Sequence, residues 1–187
     1  MNWLELSNRI FNTLVYQREL RDYFGIEIPH KKNVIIRRDC VGFFLDKDTP
    51  MLNYGRRSEV AFDFPFQSGD TILYSWKIKI PKNFALGNFK KNSWILGQWH
   101  DQPNKDKGET WENFPPNNPA FFYQLRVISG ELYLAPTLMQ TEPMANQLIP
   151  LRPNKWLKVS TKIKWSLKTD GEINIFVDER KSPHASL

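Results

Sequence analysis

From Val34 onward the chain breaks into short runs rich in β-branched and aromatic residues, each bounded by Pro, Gly, Asn or Asp. The runs are Val34–Arg37, Val41–Leu45, Arg57–Phe64, Ile72–Ile80, Ser93–His100, Phe121–Ile128, Glu131–Ala135, Trp156–Trp165 and Glu172–Val177. A chain interrupted this often has little room for long helices, and strands of this length with turn signals between them indicate an antiparallel sandwich or jelly roll. Aromatic residues at 14%, with 13 prolines and 9 glycines, agree with β structure and many turns. Ser129-Gly130 and Thr169-Asp170-Gly171 each join two runs as hairpin turns. At 187 residues the chain can bury one continuous core and is too short for two ordinary domains.

The N-terminal segment follows a different period. Trp3, Leu6, Ile10 and Leu14, then Phe11 and Val15, recur at spacings of three and four, which predicts an amphipathic helix up to about Tyr23. Its charges balance in sign, so packing on the main domain fits better than a membrane surface. The expected organisation is a helical segment over residues 1–30 packed on a β domain over residues 31–187. No apolar run approaches the roughly 18 residues of a membrane span. The N-terminus lacks a secretory signal pattern, so localisation stays open. Cys40 is the single cysteine, which excludes an intrachain disulfide and a thiolate metal cluster.

Twenty-six Lys and Arg against 20 Asp and Glu give a net charge of +6, which favours an anionic partner. The basic pairs Lys31-Lys32, Arg37-Arg38, Arg56-Arg57 and Lys90-Lys91 are scattered, unlike the single block of a nucleic-acid-binding arm.

The tripeptide Gln98-Trp99-His100 carries the sharpest chemical signal. On a strand, residues two apart share a face, so an amide donor stands beside an imidazole that can accept a proton. Simple alternation puts Trp94 and Leu96 on that face and Trp99 on the other. By the same rule Arg57, Glu59, Ala61 and Asp63 share a face, as do Phe122, Gln124 and Arg126. If these faces line one concave sheet, it holds Arg57, Glu59, Gln98, His100, Gln124 and Arg126. Two polar, proline-rich loops, Asp101 to Pro119 and Thr137 to Asn154, are long enough to be functional, and the first follows His100 directly.

That set suits proton abstraction next to a carboxylate followed by β-elimination. Charge moves onto the carboxylate of a uronate as its C5 proton leaves, so Gln98 or an arginine must neutralise it, a contribution of roughly 10²–10³ in rate. A neutral histidine can take the proton, and a positioned acid or base adds about 10²–10⁴. The leaving 4-oxygen then needs a proton, for which a tyrosine is suitable. The plainer alternatives are a structural His100 satisfied by a carbonyl and an Arg57–Glu59 cross-strand ion pair holding the sheet floor. His30 and His184 are expected at the surface. Glu109 and Glu112 fall in a loop, not in the paired geometry of a glycosidase. Asp101, Asn104, Asp106 and Glu109 could offer oxygen ligands to calcium, although their spacing misses the EF-hand register. No zinc pattern, phosphate-binding glycine loop or serine nucleophile motif is present.

Taken in order, Arg57-Ser58-Glu59-Val60, Tyr74 through Pro81, Ile95 through His100, Phe121–Val127, Lys155 through Trp165, Asp170-Gly171 and Val177-Asp178 resemble the heparin lyase I-like polysaccharide lyases over roughly residues 55 to 180. The QxH element also looks like that of alginate and glucuronan lyases. The resemblance implies a mainly β, concanavalin-like β-jelly-roll sandwich whose concave face binds an acidic polysaccharide. It implies that Gln98 neutralises the uronate carboxylate, that His100 acts as the base or assists it, and that Arg57 and Glu59 match an RxE element on the cleft floor. Gln124 and Arg126 are the further substrate-binding candidates.

These lyases usually carry a catalytic tyrosine in a segment resembling YxKxGxY after the Asp-Gly hairpin. Here the chain runs from Val177 through Glu179-Arg180 to Leu187 without it. Tyr123 could substitute as the acid only if it points into the cleft, and parity sets it opposite Gln124 and Arg126. A shortened lyase, a lyase with a relocated acid, and a fold kept for glycan binding without cleavage are the three readings that follow. A missing last strand would expose a sheet edge for the N-terminal helix or a second chain to cover. A single-strand nucleic-acid binder, with bases stacked on aromatics, is the more distant alternative.

Overall fold

The computed structural model describes residues 5, 9–10, 24–52, 55–62, 67–84, 93–100, 103, 107–110, 112–114, 119–139, 147–178 and 183–186. They fall into two compact units, residues 1–66 and residues 67–187. The chain is mainly β.

In the first unit, six short strands form three antiparallel pairs. β1 (Phe24–Glu27) pairs with β6 (Glu59–Phe62), β2 (Val34–Ile36) with β3 (Val41–Phe43), and β4 (Met51–Leu52) with β5 (Gly55–Arg56). A small core gathers Ile10, Ile28 and Val34, with Ile36, Val41 and Val60 packed against it. Asn33 is buried beside this core, where its Nδ2 donates to the Phe44 carbonyl at 2.9 Å and to Thr49 Oγ1 at 3.1 Å. Buried amides need such partners to offset lost hydration. Of the segment expected to be an N-terminal helix, Glu5, Arg9 and Ile10 are helical; the rest lies outside the described residues.

The second unit holds β7 (Thr71–Ile78), β8 (Ser93–Trp99), β9 (Phe121–Ile128), β10 (Glu131–Leu138), β11 (Ile149–Leu151), β12 (Leu157–Lys164), β13 (Glu172–Val177) and β14 (Ala185–Ser186). They build two four-stranded antiparallel sheets, in the orders β11-β10-β9-β8 and β14-β13-β12-β7. One hydrophobic core draws on both sheets: Phe121, Tyr123, Leu125, Leu134 and Ile149 from the first, Val159, Ile163, Ile175 and Val177 from the second. The period-two burial of β7 and β9 is the physical signature of strands covered on one face.

Two prolines hid strands in the sequence. β11 lies inside the stretch from Thr137 to Asn154 expected to be a loop, and it tolerates Pro150 because, among the described residues, it is an edge strand paired with β10 alone. β10 runs on through Pro136 to Leu138; its pairing with β11 ends at Leu134, so one side of the backbone at Pro136 is outside the ladder. The Ser129-Gly130 hairpin is as expected, with positive φ at both residues, 51° and 82°. That is the signature of a type I′ turn, whose twist matches the flanking strands.

Candidate functional site

The face of the first sheet turned away from the core is set by an irregularity in β8. Ile95 stands opposite Gln124, yet Gly97 stands opposite Tyr123, so β8 spends the extra residue Leu96 where β9 advances by one. Such a bulge reverses the facing of everything after it. Trp94, Leu96 and Trp99 all pack on the core, while Ile95 and Gln98 are exposed. The expectation that Gln98 shares a face with Trp94 and Leu96 is therefore corrected: strict alternation fails at the bulge.

The Gly97 position faces the core beside the Trp76 indole, where a Cβ would meet two ring carbons at 3.9 Å. Nearby, Trp99 lies tilted against Phe121 at 5.1 Å between centroids and meets Tyr74 edge-on at 5.3 Å.

Gln98 lies opposite Phe122 on β9. Phe122, Gln124 and Arg126 alternate with the buried Phe121, Tyr123 and Leu125, so they share the face of Gln98. His100 follows β8 directly and is exposed. Next across, Tyr133 on β10 stands opposite Arg126, and its hydroxyl donates to Glu131 Oε2 at 2.7 Å, which raises its pKa. Ala135 and Thr137, on the same face of β10, are buried. Tyr133 was not singled out by sequence; the alternation of Glu131, Tyr133 and Ala135 was visible, but which strand lay beside it was not.

Tyr123 sits elsewhere. Its side chain is fully buried between the two sheets, its hydroxyl is 2.7 Å from Thr161 Oγ1, and burial pushes the phenol far above its ordinary pKa. Sealed there, it does not reach the outward face that carries Gln98. Tyr74 is also committed to the core side, accepting a hydrogen bond from Trp165 Nε1 at 3.0 Å.

Arg57 and Glu59 belong to the first unit. Arg57 donates through Nη1 to Glu27 Oε2 at 3.0 Å and to Glu59 Oε1 at 3.2 Å. Glu27 and Glu59 face one another across β1 and β6, like charges that Arg57 bridges. Burial raises the Glu59 pKa; Arg57 pulls it back and Glu27 adds to the rise. Glu27 escaped the sequence reading because Phe24–Glu27 fell outside the recognised runs. Of the oxygen-bearing residues weighed for calcium, Asp101, Asn104 and Asp106 lie outside the described residues. Among the described residues no three His, Cys, Asp or Glu side chains gather as a metal site. His30 is exposed, whereas His184, expected at the surface, is half-buried.

What the outward face of this sheet brings together is thus two amides and a guanidinium, with exposed Ile95 and half-buried Phe122, and the exposed His100 follows at the end of β8. Donors and a cation over a pleated surface can hold a flexible anionic chain. A family model described as polysaccharide lyase matches residues 32–185, most of the chain. No curated protein and no solved structure matches.

Proposed function

The chain belongs to the polysaccharide lyase family, and on that premise we propose that it cleaves a uronic-acid-containing acidic polysaccharide by β-elimination on a concanavalin-like jelly roll. The observation that carries the reading is the bulged register of β8, in which Gln98 turns to the face of Gln124 and Arg126.

In this reading Gln98 donates to the uronate carboxylate and stabilises the charge that develops there as the C5–H bond breaks. Neutral His100 accepts that proton. The electron pair forms the C4–C5 double bond, the C4–O bond breaks, and the leaving oxygen takes a proton. Tyr74 and Tyr123 are spent on core partners. Tyr133 is four positions along the ladder from the residue opposite Gln98, roughly 13 Å by strand rise. With none of the described tyrosines placed for it, this reading gives the second proton transfer to the His100 imidazolium, which returns the proton it has just taken. Gln124 and Arg126 hold neighbouring carboxylates.

The test is absorbance of unsaturated uronate ends with heparin, heparan sulfate, alginate and glucuronan. A rise with one of them, abolished in His100→Ala, is the expected result. No rise with any, beside measurable binding, would replace cleavage by a carbohydrate-binding role on the same face.

A further inference from the structure

The second sheet presents a face of its own, on the far side of the core from Gln98. Register aligns its outward residues in rungs. Lys77 on β7 lies directly opposite Lys158 on β12; Ser75 lies opposite Ser160, which lies opposite Phe176 on β13; Leu73 lies opposite Lys162, which lies opposite Asn174. Thr71, Lys164 and Glu172 form the next rung, and Lys162, Lys164, Glu172, Thr71 and Asn174 line a shallow depression. At the other end Lys79 sits over the Trp156 ring at 4.9 Å, and that ring is 46% exposed.

These charges are only partly balanced. Lys164 pairs with Asp170 at 2.7 Å, and Asp178 Oδ1 accepts from the Lys158 backbone at 3.2 Å. Lys77 and Lys162 are exposed, and neither side chain has a hydrogen bond or ion pair among the described residues. Lys77 and Lys162 thus present ammonium groups outward from neighbouring strands, two rungs apart and open to an anion. Between the cationic ends the exposed Ser75 hydroxyl bonds the buried Ser160 hydroxyl at 2.8 Å, beside half-buried Phe176, with exposed Leu73 next along β7.

We infer that this face, built by Lys77, Lys79, Trp156, Lys158 and Lys162, is an auxiliary binding surface for a polyanionic polysaccharide, separate from the face of Gln98 and His100. Spaced cations along the sheet match carboxylates or sulfates repeated along a glycan, and the exposed Trp156, with the Lys79 ammonium over its ring, adds an aromatic group at one end. A single-stranded nucleic acid would call for successive stacking platforms. Tethering by this face would raise the local concentration of polymer around the chain. The glycan identity of the ligand rests on the polysaccharide reading above; the surface itself rests on the lysine register.

The experiment titrates full-length His100→Ala protein with alginate and heparin by calorimetry at low and moderate salt, with and without Lys77→Glu and Lys162→Glu. Two charge reversals at exposed positions should weaken polymer binding about tenfold and flatten its salt dependence. Cleavage of short oligosaccharides by the same double variant with His100 intact should be unchanged. If the reversals perturb the circular dichroism spectrum, Lys77→Gln with Lys162→Gln replaces them. Unchanged polymer affinity in a folded double variant overturns the surface even where the wild type is an active lyase. Lysine-dependent glycan binding without any cleavage supports the surface while removing the lyase reading. Loss confined to single-stranded DNA, with glycan binding intact, overturns it as well.

Discussion

Gly97 of β8 lies directly opposite Tyr123 of β9, although only two residues earlier Ile95 lies opposite Gln124. That single slipped residue turns Gln98 away from the core and leaves the Gly97 position against the Trp76 ring. Gly97→Ala adds a methyl at ordinary contact distance and should change stability by less than about 0.5 kcal/mol. Gly97→Leu must displace the indole and should cost roughly 1–3 kcal/mol, measured by urea denaturation. Equal stability of the two variants would mean that the close approach of Trp76 does not hold.

Tyr123 and Thr161 share a hydrogen bond sealed between the sheets. Tyr123→Phe leaves the threonine hydroxyl buried without its partner and should destabilise by about 1–3 kcal/mol. Adding Thr161→Val should recover part of the loss, because the orphaned group goes too. Turnover at a temperature where all three proteins are folded should be the same; a specific loss of rate in Tyr123→Phe would give this phenol a chemical role.

Gln98 and His100 are exposed, so their removal should leave the melting temperature unchanged while lowering kcat by roughly 10²–10³ for Gln98→Ala and 10²–10⁴ for His100→Ala. Steady-state kinetics on the best of the four polysaccharides reads this out. A Gln98→Ala enzyme with normal kcat and raised KM would reduce Gln98 to a binding residue.

Arg57 holds two opposed carboxylates together. Because burial raises the Glu59 pKa above its unfolded value, the native state keeps that proton longer. Stability from this group is therefore present at low pH and falls as pH rises through the window between the unfolded and the raised value. Removing Arg57 takes away the opposing influence and widens that window. Arg57→Met should thus cost roughly 1 kcal/mol at about pH 7 and clearly less at about pH 4, read from thermal melts at both. A loss of the same size at both would mean that the side chain acts by packing, not charge.

The I′ turn at Ser129-Gly130 places a serine where asparagine is favoured. Ser129→Asn should stabilise by a few tenths of a kcal/mol, and Gly130→Val should cost more than about 1 kcal/mol because its φ of 82° excludes a branched side chain. Chemical denaturation of both variants checks the pair of signs.

Local pattern carried much of this in advance. β9 and β13 were legible to the residue, as Phe121–Ile128 and Glu172–Val177, because alternation and flanking turns act within a few positions. β11 was lost to Pro150, and β1 to a run too short to register. Arg57 could be matched with Glu59 from parity, but its second partner, Glu27, is thirty residues away.

By itself the sequence determined a mainly β chain of short antiparallel strands, and it supplied the segments that place it among polysaccharide lyases, since strand period and turn chemistry are local properties. Tertiary structure alone decided which strands are neighbours, that Leu96 is an extra residue in its ladder, and that Tyr123 faces the core. Register is fixed by how two strands far apart in sequence fill a shared interior, so the direction in which Gln98 points is settled by Trp76, Trp99 and Tyr123 packing together.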